Sequence, residues 1–179
     1  LNGDDLAAAA SGHGVLSKDD IEDGAQALKG ITPWPAVGSA KFCKNIDGQN
    51  RIVAKDHREA VSVIANDLRR FQKESNLDDV VVVNLASTER WPDLSDPTLI
   101  STAAFEKGLD SSDEAISPAM LYAYAAIKSG IPYANFTPSV AADVPALLDL
   151  AKELNVPVAG KDGKTGQTMM KTVLAPAFK

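Results

Sequence analysis

The run Asp79-Val80-Val81-Val82-Val83-Asn84-Leu85 decides the fold. Consecutive valines without polar alternation predict a central parallel strand covered on both faces, because a strand with one wet face alternates apolar with polar residues. Upstream, Val61, Ile64, Leu68 and Phe71 recur at helical spacing opposite Arg69, Arg70 and Lys73, which predicts an amphipathic helix packed on that sheet. Downstream, Thr98 to Lys107 reads as a helix. Ser117-Pro118 then opens another as N-cap and first-turn proline, with Gly130 as its stop. Ile131 to Phe136 reads as a strand. Asp143 and Pro145 start a helix bearing Leu147, Leu150, Ala151 and Leu154, and Val156-Pro157-Val158-Ala159 is a further strand. From Gln167, Met170, Val173 and Leu174 mark a last helix. Strands alternating with helices predict an α/β fold with a doubly wound, Rossmann-like, mainly parallel sheet.

Toward the amino terminus the pattern loosens. Asp4 to Ala10 looks helical, Ser17-Lys18-Asp19-Asp20 resembles a helix start, and Gly30 to Pro35 breaks regular structure. Residues 1–56 therefore read as an irregular, partly helical lead-in to an alternating core at 57–179, the whole being one partial domain. With 18 Lys and Arg against 24 Asp and Glu, the net charge of -6 argues against nucleic acid as the partner. The single cysteine, Cys43, can form no internal disulfide and excludes a thiolate zinc site, which suits a reducing compartment. No apolar run approaches the roughly 18 residues that span a bilayer. The reading is cytoplasmic, with no membrane partner and no metal. The chain starts at Leu1 without an initiator methionine and stops straight after a periodic segment, so a fragment of a larger two-domain enzyme is expected.

In open parallel sheets, ligands sit beyond the carboxyl ends of the strands, where loop amides and helix N-termini converge. Ala86-Ser87-Thr88-Glu89-Arg90, Asn135-Phe136-Thr137-Pro138-Ser139 and Gly160-Lys161-Asp162-Gly163-Lys164-Thr165-Gly166 hold those positions. Any one of them could be rich in Ser, Thr, Asn and Gly simply as turn formers and caps; three at corresponding positions favour a ligand. Gly163-Lys164-Thr165 looks like the tail of a phosphate-cradling loop, but Val158 stands where that motif needs a glycine, which excludes a nucleoside triphosphatase. Amides of this loop could still hold a phosphate, with Lys161 and Lys164 supplying charge. No Gly-x-Gly-x-x-Gly fingerprint is present, so spacing alone does not show dinucleotide binding. His13 and His57 lie far from the loops and read as surface or capping residues, and Trp34 and Trp91, beside prolines, as packing anchors. Glu89 and Arg90 read as a structural pair rather than a catalytic acid.

The same loops carry a family resemblance. Asn84-Leu85-Ala86-Ser87-Thr88-Glu89-Arg90 resembles the Thr-Ala-Asn-Thr-Glu-Arg strand end of inositol-phosphate synthases. Asn135-Phe136-Thr137-Pro138-Ser139 is similar to their prokaryotic Asn-Phe-Thr-Pro-Ser turn, and residues 160–168 to their Gly-Asp-Asp-x-Lys-Ser-Gly-Gln-Thr segment. Pro33-Trp34-Pro35-Ala36-Val37 resembles an earlier Pro-Tyr-Pro-Ser-Val turn, with Ala36 replacing a serine. The matches keep order and spacing across nearly the whole chain. The resemblance implies NAD held by Ala36, Val37, Leu85, Ala86, Ser87, Thr88, Phe136, Thr137, Asp162, Gly163 and Thr165. It also implies cyclisation of glucose 6-phosphate to inositol phosphate by internal oxidation, enolisation, intramolecular aldol closure and reduction. The family's glycine loop would precede Leu1 and its principal catalytic lysines would follow Lys179, so no catalytic residue is assigned and the isolated segment is expected to be inactive. The parent enzyme is expected to be a homotetramer. The competing readings are another NAD-dependent sugar or hydroxy-acid oxidoreductase, told apart by net NADH production, and a non-catalytic binding or assembly module.

Overall fold

A computed structural model of the chain describes residues 3–14, 16–44, 46–163 and 167–178. Contacts divide it into two compact units, Leu1–Ala54 and Lys55–Lys179.

In the first unit, α1 (Leu6–Gly12) and α2 (Lys18–Lys29) pack together. Each starts on a capping side chain that satisfies an otherwise orphaned amide: Asp5 accepts from Ala8 N at 2.9 Å, and Ser17 from Asp20 N at 3.2 Å. Downstream, Ala36 forms an isolated parallel bridge with Arg51.

The second unit contains α3 (His57–Glu74), β1 (Val82–Asn84), α4 (Thr102–Ser111), α5 (Pro118–Lys128), β2 (Tyr133–Asn135), α6 (Pro145–Glu153), β3 (Val158–Gly160) and α7 (Gln167–Ala177). Asp56 caps α3 through Glu59 N at 2.8 Å, while the Glu59 carboxylate reaches back to Lys55 N at 2.6 Å, a reciprocal start of the capping-box kind. The helix buries Ala60, Val61, Ile64 and Ala65, whereas Phe71, expected on the same stripe, is 44% exposed near its end. Ser117 caps α5 as expected, through Met120 N at 3.4 Å. α5 is apolar almost all round and correspondingly buried from Pro118 to Ile127 except at Tyr122, with α3 and α6 packed against it. Each of Met120, Leu121 and Ile127, fully enclosed, stabilises the unit by roughly 1.5–3 kcal/mol. The start of α6 departs from expectation: Val144 is its N-cap, without a side-chain bond, and Asp143 instead accepts from Ala141 N at 2.9 Å.

The strands form a parallel sheet in the order β1-β2-β3, with Val82 opposite Tyr133 and Tyr133 opposite Val158. The α/β class and the parallel sheet expected from the alternation are found. The valine run is not a central strand, however. Among the described residues only Val82 to Asn84 pair, β1 lies at the edge of this three-stranded sheet, and Val81 and Val83 are 58% and 49% exposed. The physical reason is that side chains alternate across a strand. The face bearing Tyr133 and Asn135 is buried, with Tyr133 Oη donating to Ala119 O of α5, while the Val81 and Val83 face is exposed. A valine run thus marks strand propensity without saying how many faces are covered.

Candidate functional site

Because the strands are parallel and adjacent, their carboxyl ends reach the same edge, and hydrogen bonds weld the loops there into one rim. Asn84 and Asn135 end β1 and β2 opposite each other, with Asn84 Nδ2 donating to Asn135 Oδ1 at 3.1 Å. The same Oδ1 accepts from Thr137 N at 3.1 Å and Thr137 Oγ1 at 2.9 Å, while Asn135 Nδ2 donates to Ser139 O at 2.7 Å. Ser139 N donates to Thr137 Oγ1, and Ser139 Oγ accepts from Glu89 N at 3.0 Å, crossing to the first loop. The third loop joins through its backbone: Asp162 N donates to Thr137 O at 3.0 Å and Gly163 N to Phe136 O at 3.1 Å. Phe136 N in turn donates to Asn84 O at 3.0 Å.

Glu89 anchors this rim to the core. Its Oε1 accepts from Ala119 N, in the first turn of α5, at 3.1 Å, where the positive end of the helix favours a carboxylate. Burial nonetheless pushes its carboxyl above the ordinary value, against the pull of the Ser117 and Ala119 hydrogen bonds, and Oε2 is buried with no hydrogen-bond partner among the described residues. Glu89 thus braces the first loop against α5 and the second loop. His57 at the start of α3 also has a buried, unpartnered nitrogen, Nδ1. Desolvation holds its pKa below the usual histidine value, against Asp113 and Asp56.

Two glycines make the third loop possible. Gly160 has φ of +115°, and a Cβ there would meet Asn135 backbone, so only glycine fits both the conformation and the approach. A Cβ on Gly163 would run into the Phe136 ring.

The candidate residues of the second unit divide by what they leave available. Leu85 and Phe136 are 72% and 58% exposed and follow paired strand ends, giving apolar surface on the rim. Ser87 and Thr88 are exposed and make no hydrogen bond to other described residues, leaving hydroxyls and amides for a ligand. Ala86 is exposed, with its amide bound to Asn84 Oδ1 at 3.1 Å. Thr137 is buried and its hydroxyl is spent inside the corner, so its side chain shapes the rim. The expectation that amides of the third loop hold a phosphate fails for Asp162 and Gly163, whose N–H groups bind back to the second loop. Lys164 and Thr165 lie outside the described residues. Ala36 and Val37 belong to the first unit, where Ala36 N donates to Asn50 O at 3.2 Å and Ala36 O accepts from Ile52 N at 3.1 Å. Among the described residues no cluster of His, Cys, Asp and Glu could hold a metal, and no helix is long and apolar enough to cross a membrane.

Sequence reasoning missed the framework residues Asn84, Asn135 and Ser139. The available signal was an asparagine ending each of two strands, with Asn135, Thr137 and Ser139 spaced for side chain-to-backbone turns.

Fold and rim define an α/β domain of the kind that carries its ligand beyond the carboxyl ends of parallel strands. Comparison with known proteins narrows the class. The NAD-binding family model described as myo-inositol-1-phosphate synthase matches residues 1–177. Inositol-3-phosphate synthase 1 of Bacteroides thetaiotaomicron is 42% identical over 166 residues, covering 92% of this chain and 38% of that protein. Inositol-3-phosphate synthase of Dictyostelium discoideum is 36% identical over 149 residues, covering 82% of this chain and 29% of its own. The crystal structure of inositol-3-phosphate synthase from Caenorhabditis elegans superposes with a TM-score of 0.85 at 27% identity, over 94% of this chain and 34% of that one. The chain belongs to the myo-inositol-1-phosphate synthase family, and the cofactor of the domain it matches is NAD. It spans between 29% and 38% of the length of these relatives.

Proposed function

We propose that the protein containing this chain cyclises D-glucose 6-phosphate to myo-inositol 1-phosphate, with NAD lying along the rim at the carboxyl ends of β1, β2 and β3. The observation that carries the reading is the convergence of exposed Leu85 and Phe136 with the uncommitted hydroxyls of Ser87 and Thr88 on one hydrogen-bonded edge. Apolar faces suit the rings of a dinucleotide, and hydroxyls and amides suit its ribose and phosphate oxygens.

Bound NAD would supply a reversible hydride acceptor, chemistry that is compatible with an overall isomerisation. The chain's own residues bind and orient. Leu85 and Phe136 supply flat apolar contact, while Ala86 and Gly163 leave the backbone approachable. Ser87 and Thr88 donate or accept at the sugar-phosphate portion, and Thr137 holds the corner's shape from below. By family resemblance, Asp162, Thr165, Ala36 and Val37 are further cofactor contacts. Proton abstraction and stabilisation of the aldol oxyanion need cationic groups in a water-poor site. The resemblance assigns those groups to no residue of this chain. The protein works in the cytoplasm as a homotetramer.

The test is an assay of the full native protein with glucose 6-phosphate. Inositol phosphate should form only with NAD present and without net accumulation of NADH. Stoichiometric NADH with no inositol phosphate would replace this reading with a dehydrogenase; no turnover of any kind would leave a binding module.

A further inference from the structure

The third loop is held by more than backbone. Lys161, directly after β3, places its Nζ 2.8 Å from Asp143 Oδ2 and 4.3 Å from the centroid of the Trp91 ring. Its side chain and that of Asp143 are only 29% and 35% exposed, so the ion pair is partly shielded from water. Asp143 is itself fixed, because its other oxygen accepts from Ala141 N at 2.9 Å. Trp91 closes the first loop, Asp143 lies just before α6, and Lys161 belongs to the third loop, so one ammonium group ties together segments that follow all three strands. A small cleft of about 70 Å³ opens beneath this contact, lined by Asn135, Asp143, Gly160 and Lys161 among others. The neighbouring Asp162 and Gly163 donate their amides to the second loop.

We propose that Lys161 is a positioning residue for the cofactor: gripped between Trp91 and Asp143, it holds Asp162 and Gly163 against the rim so that the dinucleotide meets a preformed third wall. Without the grip, Asp162 and Gly163 are held less firmly against the rim and part of that order must be restored each time cofactor binds, which lowers affinity. Trp91 contributes as a cation–π partner and an aromatic stop, beyond the packing anchor its proline neighbour suggested. The inference rests on the proposed cofactor site for its functional consequence, but the grip itself is measurable without cofactor.

The experiment uses the full native protein with Lys161→Met, Lys161→Arg and Trp91→Leu variants. Hydrogen exchange in the absence of cofactor should quicken about tenfold at the Asp162 and Gly163 amides in Lys161→Met and Trp91→Leu, the scale set by one cation–π contact together with a shielded ion pair. Lys161→Arg should retain protection. Calorimetric titration with NAD should show Kd about tenfold weaker for Lys161→Met, recovered to within about threefold by arginine, with the melting temperature little changed. Unchanged exchange in Lys161→Met would overturn the grip whether or not the protein binds NAD. Quickened exchange with NAD affinity within twofold of the unsubstituted protein would overturn its positioning role. Absence of NAD binding by the unsubstituted protein, with exchange quickened in the variants, would sink the cofactor site and leave the grip standing.

Discussion

Asn135 is the residue on which the rim should fail first. Replacing it with alanine removes the acceptor for Asn84 Nδ2, Thr137 N and Thr137 Oγ1, and the donor to Ser139 O. Asn84 is half-buried and its amide can find water, and the Thr137 hydroxyl can rotate toward another acceptor. The Thr137 N–H and the Ser139 carbonyl are less fortunate, since these residues are 6% and 2% exposed. Two buried orphans at about 1–3 kcal/mol each, partly offset by relaxation, predict a loss of about 3 kcal/mol. With a urea dependence of about 2 kcal/mol per molar, the unfolding midpoint should fall by about 1.5 M. Equilibrium urea unfolding, followed in parallel by tryptophan fluorescence and far-ultraviolet circular dichroism, measures it. A midpoint within about 0.3 M of the unsubstituted protein would refute the reasoning, because on these magnitudes it means that water or neighbouring groups replace every bond at no cost.

Glycine substitutions should separate stability from binding. Gly160→Ala forces a side chain into Asn135 backbone at a left-handed φ and should cost more than about 2 kcal/mol by urea unfolding. Gly163→Ala runs into the edge of the exposed Phe136 ring at Cδ1 and Cε1 and forces it aside, so stability should fall by about 1 kcal/mol while titrated NAD affinity falls several-fold. Glu89 has a folded pKa raised above its ordinary 4.5, so the folded state binds the extra proton. Its stabilising share is full below that value and disappears as pH rises through the folded pKa. Glu89→Gln should remove this decline from a pH series of unfolding free energies, and an identical slope in both proteins would contradict the assignment. His57 works in the opposite sense: depressed below 6.5, it contributes fully above that value and loses its share as pH falls through the folded pKa. Replacement by glutamine should flatten the acid side of the same profile.

How far the sequence could be read depended on the range of the interactions involved. Helix starts at Ser17, Asp56 and Ser117 are local, because a capping oxygen and the amide it serves lie within one turn. Ser17 and Ser117 were accordingly legible as starts. The α3 periodicity was equally local and was read correctly, except that Phe71 is largely exposed. The valine run announced a strand for the same reason, yet its place at the sheet edge depends on which segments arrive beside it, and no residue of the run encodes that. Asp143 looked like a cap and became a support for Ala141 and Lys161 instead, since a carboxylate takes whichever donors the fold delivers.

Sequence by itself was enough for the α/β class, the three polar loops and the family, since strand propensity, helical period and motif order are properties of neighbouring residues. Only the tertiary structure decided how those loops are used. Whether a loop amide is open to a phosphate or spent on a neighbouring carbonyl, as at Asp162 and Gly163, depends on groups more than twenty positions away in the chain. The joining of Trp91, Asp143 and Lys161 around one charge is likewise a fact of three-dimensional distance, which falls off with no regular relation to separation along the chain.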